Sequence, residues 1–256
     1  MRVLAISSQV VWGPVGNSAA VPALQAKGFE VLALPTIMLS NHPGHGAPAG
    51  FRTDAEDMAR MLAALEARGA LKGLDAVLTG YFASAAQVRE VAKLLGRITV
   101  PYVLVDPVIG DHGKLYVAAE VAEAIRDELL PQASCVTPNE FELGWLSGRE
   151  VTDETQAIAA ARALGREEVL ATSIPAAGQN ITTLLVTPQE VHRVITHKLS
   201  GVPHGTGDFL SGLYLAERLT SPPVQALHSA MKILGRAIAI SAGTAVLNVA
   251  GALHPS

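Results

Sequence analysis

Short β-rich runs alternate with longer alanine-rich segments of helical period, and that alternation restricts the fold more than any other feature of the chain. Arg2–Ser7, Glu30–Leu34, Asp75–Thr79 and Tyr102–Val105 read as strands, with helical patterns at Gly16–Lys27, Thr53–Ala67 and Ser84–Leu95 between them. Strand, helix and strand in this order build a parallel sheet with helices on both faces. The series continues with helices at Ala118–Leu129, Asn139–Leu146 and Asp153–Leu164, and with strands around Cys135 and at Glu168–Thr172. Then the pattern changes. Ile181–Val186 and Glu190–His197 are β-rich runs joined through a Thr-Pro-Gln turn, expected to form an antiparallel hairpin at the sheet edge. Helices at Thr206–Leu219 and roughly Val224–Asn248 follow. No linker, repeat or low-complexity tract intervenes, so one α/β domain over residues 1–256 is expected.

Composition agrees and excludes several classes. The chain is 49% hydrophobic but only 4% aromatic and 16% charged, so Ala, Val, Leu and Ile fill its interior. A net charge of −4 lacks the basic excess that binding a nucleic-acid backbone requires. Cys135 is the single cysteine, which excludes an internal disulfide and a cysteine-cluster metal site; it reads as a small buried apolar residue in a reducing, cytoplasmic setting. The opening MRVLAISSQVVWGPVG has one Arg and an apolar run only from Val3 to Ile6, a first strand rather than a signal core. The one membrane suspect, Ala237–Leu253, is diluted by Ser241, Gly243, Thr244, Asn248 and Gly251, so a buried helix is the expectation.

Absent motifs narrow the chemistry. There is no G-x-x-x-x-G-K-[ST], no G-x-S-x-G and no H-E-x-x-H. The glycines of Gly44–Gly50 are one residue too far apart for a dinucleotide fingerprint, and Pro48 opposes a helix there. The whole segment Ser40–Gly50, SNHPGHGAPAG, reads as a loop and a candidate active-site flap.

Four constellations carry chemistry. Gly205-Thr206-Gly207-Asp208 opens a helix, where backbone N–H groups and the helix dipole favour an anion. A carboxylate at that place can take a proton from a hydroxyl while the N–H cluster neutralises a moving phosphoryl group. A plain glycine turn with Asp208 as helix cap is the alternative. Asp106-Pro107-Val108-Ile109-Gly110-Asp111 leaves the carboxyl end of a strand, where open α/β sheets bind ligands. Its two acids can hold Mg²⁺ or simply form an Asx-turn. Asn139 and Glu142 are three apart at a helix start, placed either for metal-bound water or for a capping box. Thr172 and Ser173 end a further strand with two hydroxyls. Coincidence at successive strand ends is what makes the set informative.

Taken together, GTGD at 205–208, Asn-x-x-Glu at 139–142 and Asp-Pro-Val at 106–108 resemble the ribokinase-like superfamily of small-molecule kinases. SSQVVWGPVGNSAAVPAL from Ser7, LPTIMLSNH from Leu34, LTGYFASA from Leu78, DPVIGD from Asp106 and VTPNEFELGWLSG from Val136 resemble its pyridoxal kinase family, in order along nearly the whole chain. The resemblance implies a three-layer ribokinase-like fold without a separate lid domain, and ATP-dependent phosphorylation of the 5′-hydroxymethyl group of pyridoxal, pyridoxine or pyridoxamine. It implies Asp208 as base and Gly205, Thr206 and Gly207 as anion hole. Asp106, Tyr116, Thr137, Glu142, Thr172 and Ser173 would meet ATP and its cations, with Asp111 at a Mg²⁺-associated position. A monovalent cation, K⁺ or Na⁺, would lie near Asp106, Thr137 and Thr172. Ser8, Val11, Trp12 and Tyr81 would line the pyridine pocket, and a homodimer is implied.

This chain departs from the family pattern in its flap. Pro43 stands where a substrate-touching Thr is usual, and His45 replaces an aromatic. Two rival functions therefore stay open: a hydroxymethylpyrimidine kinase of the same superfamily, and a non-catalytic protein that binds nucleotide or vitamer. His42 and His45 are read as flap residues rather than a metal pair, and His204 as a loop histidine or a nucleotide contact.

Overall fold

The computed structural model describes residues 1–254, so Pro255 and Ser256 of the expected domain lie outside the described residues. Its first half runs β1 (Arg2–Trp12), α1 (Asn17–Gln25), β2 (Glu30–Asn41), a 3-10 turn (Pro43–His45), β3 (Gly50–Arg52), α2 (Ala55–Ala67), β4 (Ala76–Thr79), α3 (Ala85–Leu95) and β5 (Tyr102–Val105). A small two-stranded hairpin, β6 (Gly110–Asp111) and β7 (Lys114–Leu115), comes next. The second half holds α4 (Ala119–Ala124) with a π-turn through Leu129, β8 (Cys135–Val136), α5 (Glu140–Ser147), α6 (Glu154–Ala163), β9 (Glu168–Ala176), β10 (Asn180–Val186) and β11 (Val191–His197). The helices α7 (Thr206–Arg218), α8 (Pro223–Ile240) and α9 (Val249–Leu253) end it.

The main sheet has strand order β11-β10-β9-β8-β5-β4-β1-β2-β3. From β2 to β9 every pairing is parallel; β3, β10 and β11 pair antiparallel at the two edges. The expected hairpin is therefore present as β10–β11. Alternation along the strands divides the core between the two faces. Leu4, Ile6, Val77, Val103, Val105 and Val136 pack with α2 to α6, whereas Val3, Ala76, Leu78, Leu104 and Cys135 pack with α1, α7, α8 and α9. Strands covered on both faces read as continuous apolar runs, which is why the sequence announces them.

Two expectations are corrected. The strands β1 and β2 extend well past Ser7 and Leu34, pairing through Trp12 and Asn41 with a bulge between Ser7 and Gln9. Beyond the bulge the main-chain ladder, not burial, holds them, and Val11 and Trp12 are exposed. The helix expected to reach Asn248 stops at Ile240. Ser241 Oγ donates to Ala237 O at 2.6 Å and accepts from the N–H of Asn248 at 2.8 Å, folding the chain into a turn before α9. Among the described residues no helix is long and apolar enough to cross a membrane.

Candidate active site

Register brings the site together. The pairs Ile6–Thr79, Thr79–Val105 and Val105–Val136 are the last rows of β1, β4, β5 and β8 at this level of the sheet. One residue further, Ser7, Gly80, Asp106 and Thr137 lie side by side along the carboxyl ends. Three backbone bonds continue the ladder there: Gly80 N–H to Ile6 O at 2.9 Å, Asp106 N–H to Thr79 O at 2.8 Å and Thr137 N–H to Val105 O at 3.1 Å. Strand order reverses at this point of the sheet, the usual place for a ligand crevice.

Helix α7 arrives above this row. Its cap, Gly205, has φ +93°, and a Cβ there would lie 2.0 Å from Pro14 O, so only glycine fits. The cap uses no side chain, which sets aside Asp208 as the cap: Asp208 is the third residue of the first turn. The amides at the start of that turn lack partners within the helix. Asp208 accepts backbone N–H bonds from Gly16 and from itself, and its Oδ1 lies 3.9 Å from where a Gly80 Cβ would stand. Its residue surface is only partly covered, yet burial of the carboxylate at the floor of the crevice pushes its pKa up. Gly205→Ala should cost about 2–4 kcal/mol through the forced φ and the clash. It should also lower kcat roughly tenfold to a hundredfold as the first turn is displaced, measured by denaturation and steady-state rates.

Asp106 is buried beside it. Ser211, one turn beyond Asp208, donates from Oγ to Asp106 Oδ2 at 3.0 Å, and Thr137 Oγ1 lies 2.9 Å from the same Ser211 oxygen. Burial first, then the Asp208 charge, raises the Asp106 pKa. Glu142 is buried as well, its pKa raised by burial and by the Asp106 charge. The capping box expected as an alternative is formed: Asn139 Oδ1 accepts from Glu142 N–H and Glu142 Oε2 accepts from Asn139 N–H, each at 2.9 Å. Glu142 Oε1 also accepts from the amides of Ile109 at 3.1 Å and Gly110 at 3.4 Å. The box thus fixes the loop that carries Asp111. Asp111 is partly exposed in the β6–β7 hairpin, and its charge and that of Glu142 act on the exposed Tyr116, pushed up to about 12 by burial of its hydroxyl and these carboxylates. On β9, Thr172 N–H bonds Pro138 O at 2.9 Å. The next residue, Ser173, holds φ +58°, a strained non-glycine conformation at a bulge against β10.

The donor set suits a cation. Among the described residues no Lys or Arg forms an ion pair with Asp106, Glu142 or Asp208. No group of three His, Cys, Asp or Glu converges as a self-sufficient metal cage either. Carboxylates left without a cationic side chain, and short of a full ligand set, fit an ion completed by phosphate oxygens and water.

The pocket residues divide. Ser8 is buried against Gly16, where an added Cβ would lie 2.2 Å from its Oγ. Tyr81 is half-buried, its N–H donating to Ser7 Oγ at 3.1 Å and its carbonyl accepting from Thr36 Oγ1 at 2.7 Å. Trp12 is 52% exposed and stacks on His45 of the flap. Val11 is not brought to the site: it stands 82% exposed, and Val15 packs beneath Gly205 instead. Sequence reading missed Gly16, Ser7, Gly80 and Ser211. Gly16 and Ser7 lie inside a quoted motif, but what they contribute is a backbone N–H and a hydroxyl on the floor of the crevice, which no side-chain pattern announces.

Architecture and site together define the ribokinase-like class. The comparisons then become specific. The family model described as phosphomethylpyrimidine kinase matches residues 52–254. A pyridoxine/pyridoxal/pyridoxamine kinase of Bordetella avium is 40% identical over 252 residues, covering 93% of this chain and 84% of the relative. The pyridoxal kinase of Entamoeba histolytica superposes with a TM-score of 0.93 at 29% identity, covering 98% of this chain and 94% of that one. The pyridoxal kinase of Leishmania donovani, solved with ADP and pyridoxine, gives 0.91 at 33% identity, covering 100% and 96%. The chain belongs to the pyridoxal kinase family of the ribokinase-like superfamily.

Proposed function

We propose that this protein transfers the γ-phosphoryl group of ATP to the 5′-hydroxymethyl group of pyridoxal and its pyridoxine and pyridoxamine forms, giving the 5′-phosphate in vitamin B6 salvage. One observation carries the reading: a carboxylate on the first turn of α7, at the floor of the crevice, directly beside free helix amides. Asp208 takes the hydroxyl proton, the freed oxygen bonds to the γ-phosphorus, and the bond to ADP breaks. Gly205, Thr206 and Gly207 form the anion hole that stabilises the charge on the transferring group.

Mg²⁺ bound with ATP would supply charge neutralisation at the phosphates. Asp106, Asp111 and Glu142 would hold it in this reading. Asp106, Thr137 and Thr172 are the residues for a monovalent ion, K⁺ or Na⁺. Thr172, Ser173 and Tyr116 would border the nucleotide, and Ser8, Tyr81 and Trp12 the pyridine. Chelation with EDTA should abolish turnover, and excess Mg²⁺ should restore it without refolding. The reading includes one domain and a cytoplasmic homodimer in which exposed Val11 and Phe51 offer apolar surface to a second copy.

The nearest rival acts on hydroxymethylpyrimidine, and Pro43 bears on it because proline offers neither hydroxyl nor N–H to a substrate. Steady-state rates with Mg-ATP on pyridoxal, pyridoxine, pyridoxamine and hydroxymethylpyrimidine separate the two. Higher kcat/KM for a pyridine is expected; higher kcat/KM for the pyrimidine overturns the assignment. Absence of turnover on all four would favour a non-catalytic binding protein.

A further inference from the structure

The flap carries a histidine cluster that the chemistry above does not use. His42 caps the 3-10 turn Pro43–His45, its Nδ1 accepting from Gly44 N–H at 3.1 Å, while its own N–H reaches Trp12 O at 3.3 Å. Rings from three separate segments then meet. His42 lies against His204 with ring centroids 4.2 Å apart and planes 34° from parallel, and Trp12 lies against His45 at 4.5 Å and 37°. His45 stands edge-on to both His42 and His204, at 6.1 and 6.2 Å. The contact is close enough to demand a missing side chain: a Cβ on Gly44 would lie 2.5 Å from His204 Nε2. His204 immediately precedes the Gly205 cap.

We propose that His204 is a positioning residue, the seat on which the flap closes, so that the closed flap and the anion hole one residue further on are held in one arrangement. Flap closure excludes water and completes a site when the closing loop and the reacting groups share a support. Here the support is a stack of aromatic rings. The titratable groups acting on His42 are His204 and His45, both potential cations; Trp12 bears no charge and no carboxylate acts on it. Burial first, and then these two rings, lower the His42 pKa to about 4. A proton on His42 is therefore disfavoured when the flap is seated and tolerated when it is free. The sign follows: the seat is firm above the ordinary histidine pKa of about 6.5 and weakens as pH falls from there towards about 4.

The test uses Trp12 as its own reporter. The chain has two tryptophans, and Trp145→Phe leaves Trp12 alone. In that background, Trp12 emission without substrate is followed from pH 8 to pH 5 for His204, His204→Ala and His204→Phe proteins, alongside KM and kcat for pyridoxal. The His204 protein should change emission as pH falls. His204→Ala should show the low-pH emission already at pH 8, with KM raised about two- to tenfold, the scale of one aromatic contact, and kcat lowered by less than in Gly205→Ala. His204→Phe keeps a ring without a proton, so it should retain the seated emission and KM at pH 8 and respond less to acid. Parental emission and KM in His204→Ala, or a His204→Phe protein matching His204→Ala, would overturn the proposal. The kinetic half rests on the kinase reading; the emission half does not, so an inactive protein with a working seat is recognised as such.

Discussion

Asp208→Asn is expected to lower kcat by roughly 10²- to 10⁴-fold, the usual contribution of a positioned general base. Asn is isosteric and its oxygen can still accept the Gly16 N–H, so the fold, the first turn of α7 and nucleotide affinity should persist. The pH profile adds a second reading. The base must be ionised, and burial of Asp208 and Asp106, with the Asp208 charge acting on Asp106, raises both above the ordinary carboxylate range. Their protons are held more tightly than in an exposed acid, so kcat/KM should fall about tenfold per pH unit below a pair titration that lies above that range. In Asp208→Asn that limb should vanish from the residual rate. A variant that keeps more than a tenth of parental kcat would remove Asp208 from the role of base.

The second large effect lies at the other end of the sheet. Glu168 is 4% exposed at the start of β9 and ties three elements together. Its Oε2 accepts from Tyr102 and Tyr214 hydroxyls, each at 2.7 Å, and its Oε1 accepts from Arg218 Nε at 2.8 Å. The Arg218 guanidinium also lies 5.4 Å from the centre of the Tyr102 ring. Glu168→Ala leaves a half-buried cation and two buried hydroxyls without their acceptor, and breaking such a pair from one side costs about 3–5 kcal/mol. Denaturant midpoints should show it, and Tm should fall by roughly 6–20 °C for a chain of this size. Tyr214→Phe removes one donor and should cost about 1–2 kcal/mol. Because the network stands away from the crevice, folded Glu168→Ala protein should keep the parental KM. A loss below about 1 kcal/mol, the worth of an ordinary hydrogen bond, would show that the network adds little.

What could be read in advance follows from what each element depends on. Buried strands such as Tyr102–Val105 depend on apolar side chains, and the sequence marks them to the residue. The far halves of β1 and β2 depend on main-chain pairing outside the core, which leaves no apolar signal. The stretch Ala237–Leu253 has helical composition throughout, but the Ser241 hydroxyl turns the chain by satisfying backbone groups that a helix would have used. The same division runs through the site. Asp106, Glu142 and Asp208 announce themselves as acids at strand and helix ends. The Gly16 amide, the bare backbone of Gly80 and the Ser211 hydroxyl act through position alone, and the seat made by His204 requires rings from three distant segments to meet.

The central claim is tested most directly by ³¹P NMR of the product formed from pyridoxal and Mg-ATP. Pyridoxal 5′-kinase activity predicts loss of the γ-phosphate signal with growth of one monoester resonance split by the two methylene protons at C5′. Steady ATP with no new ester, or an ester lacking that methylene coupling, would contradict it.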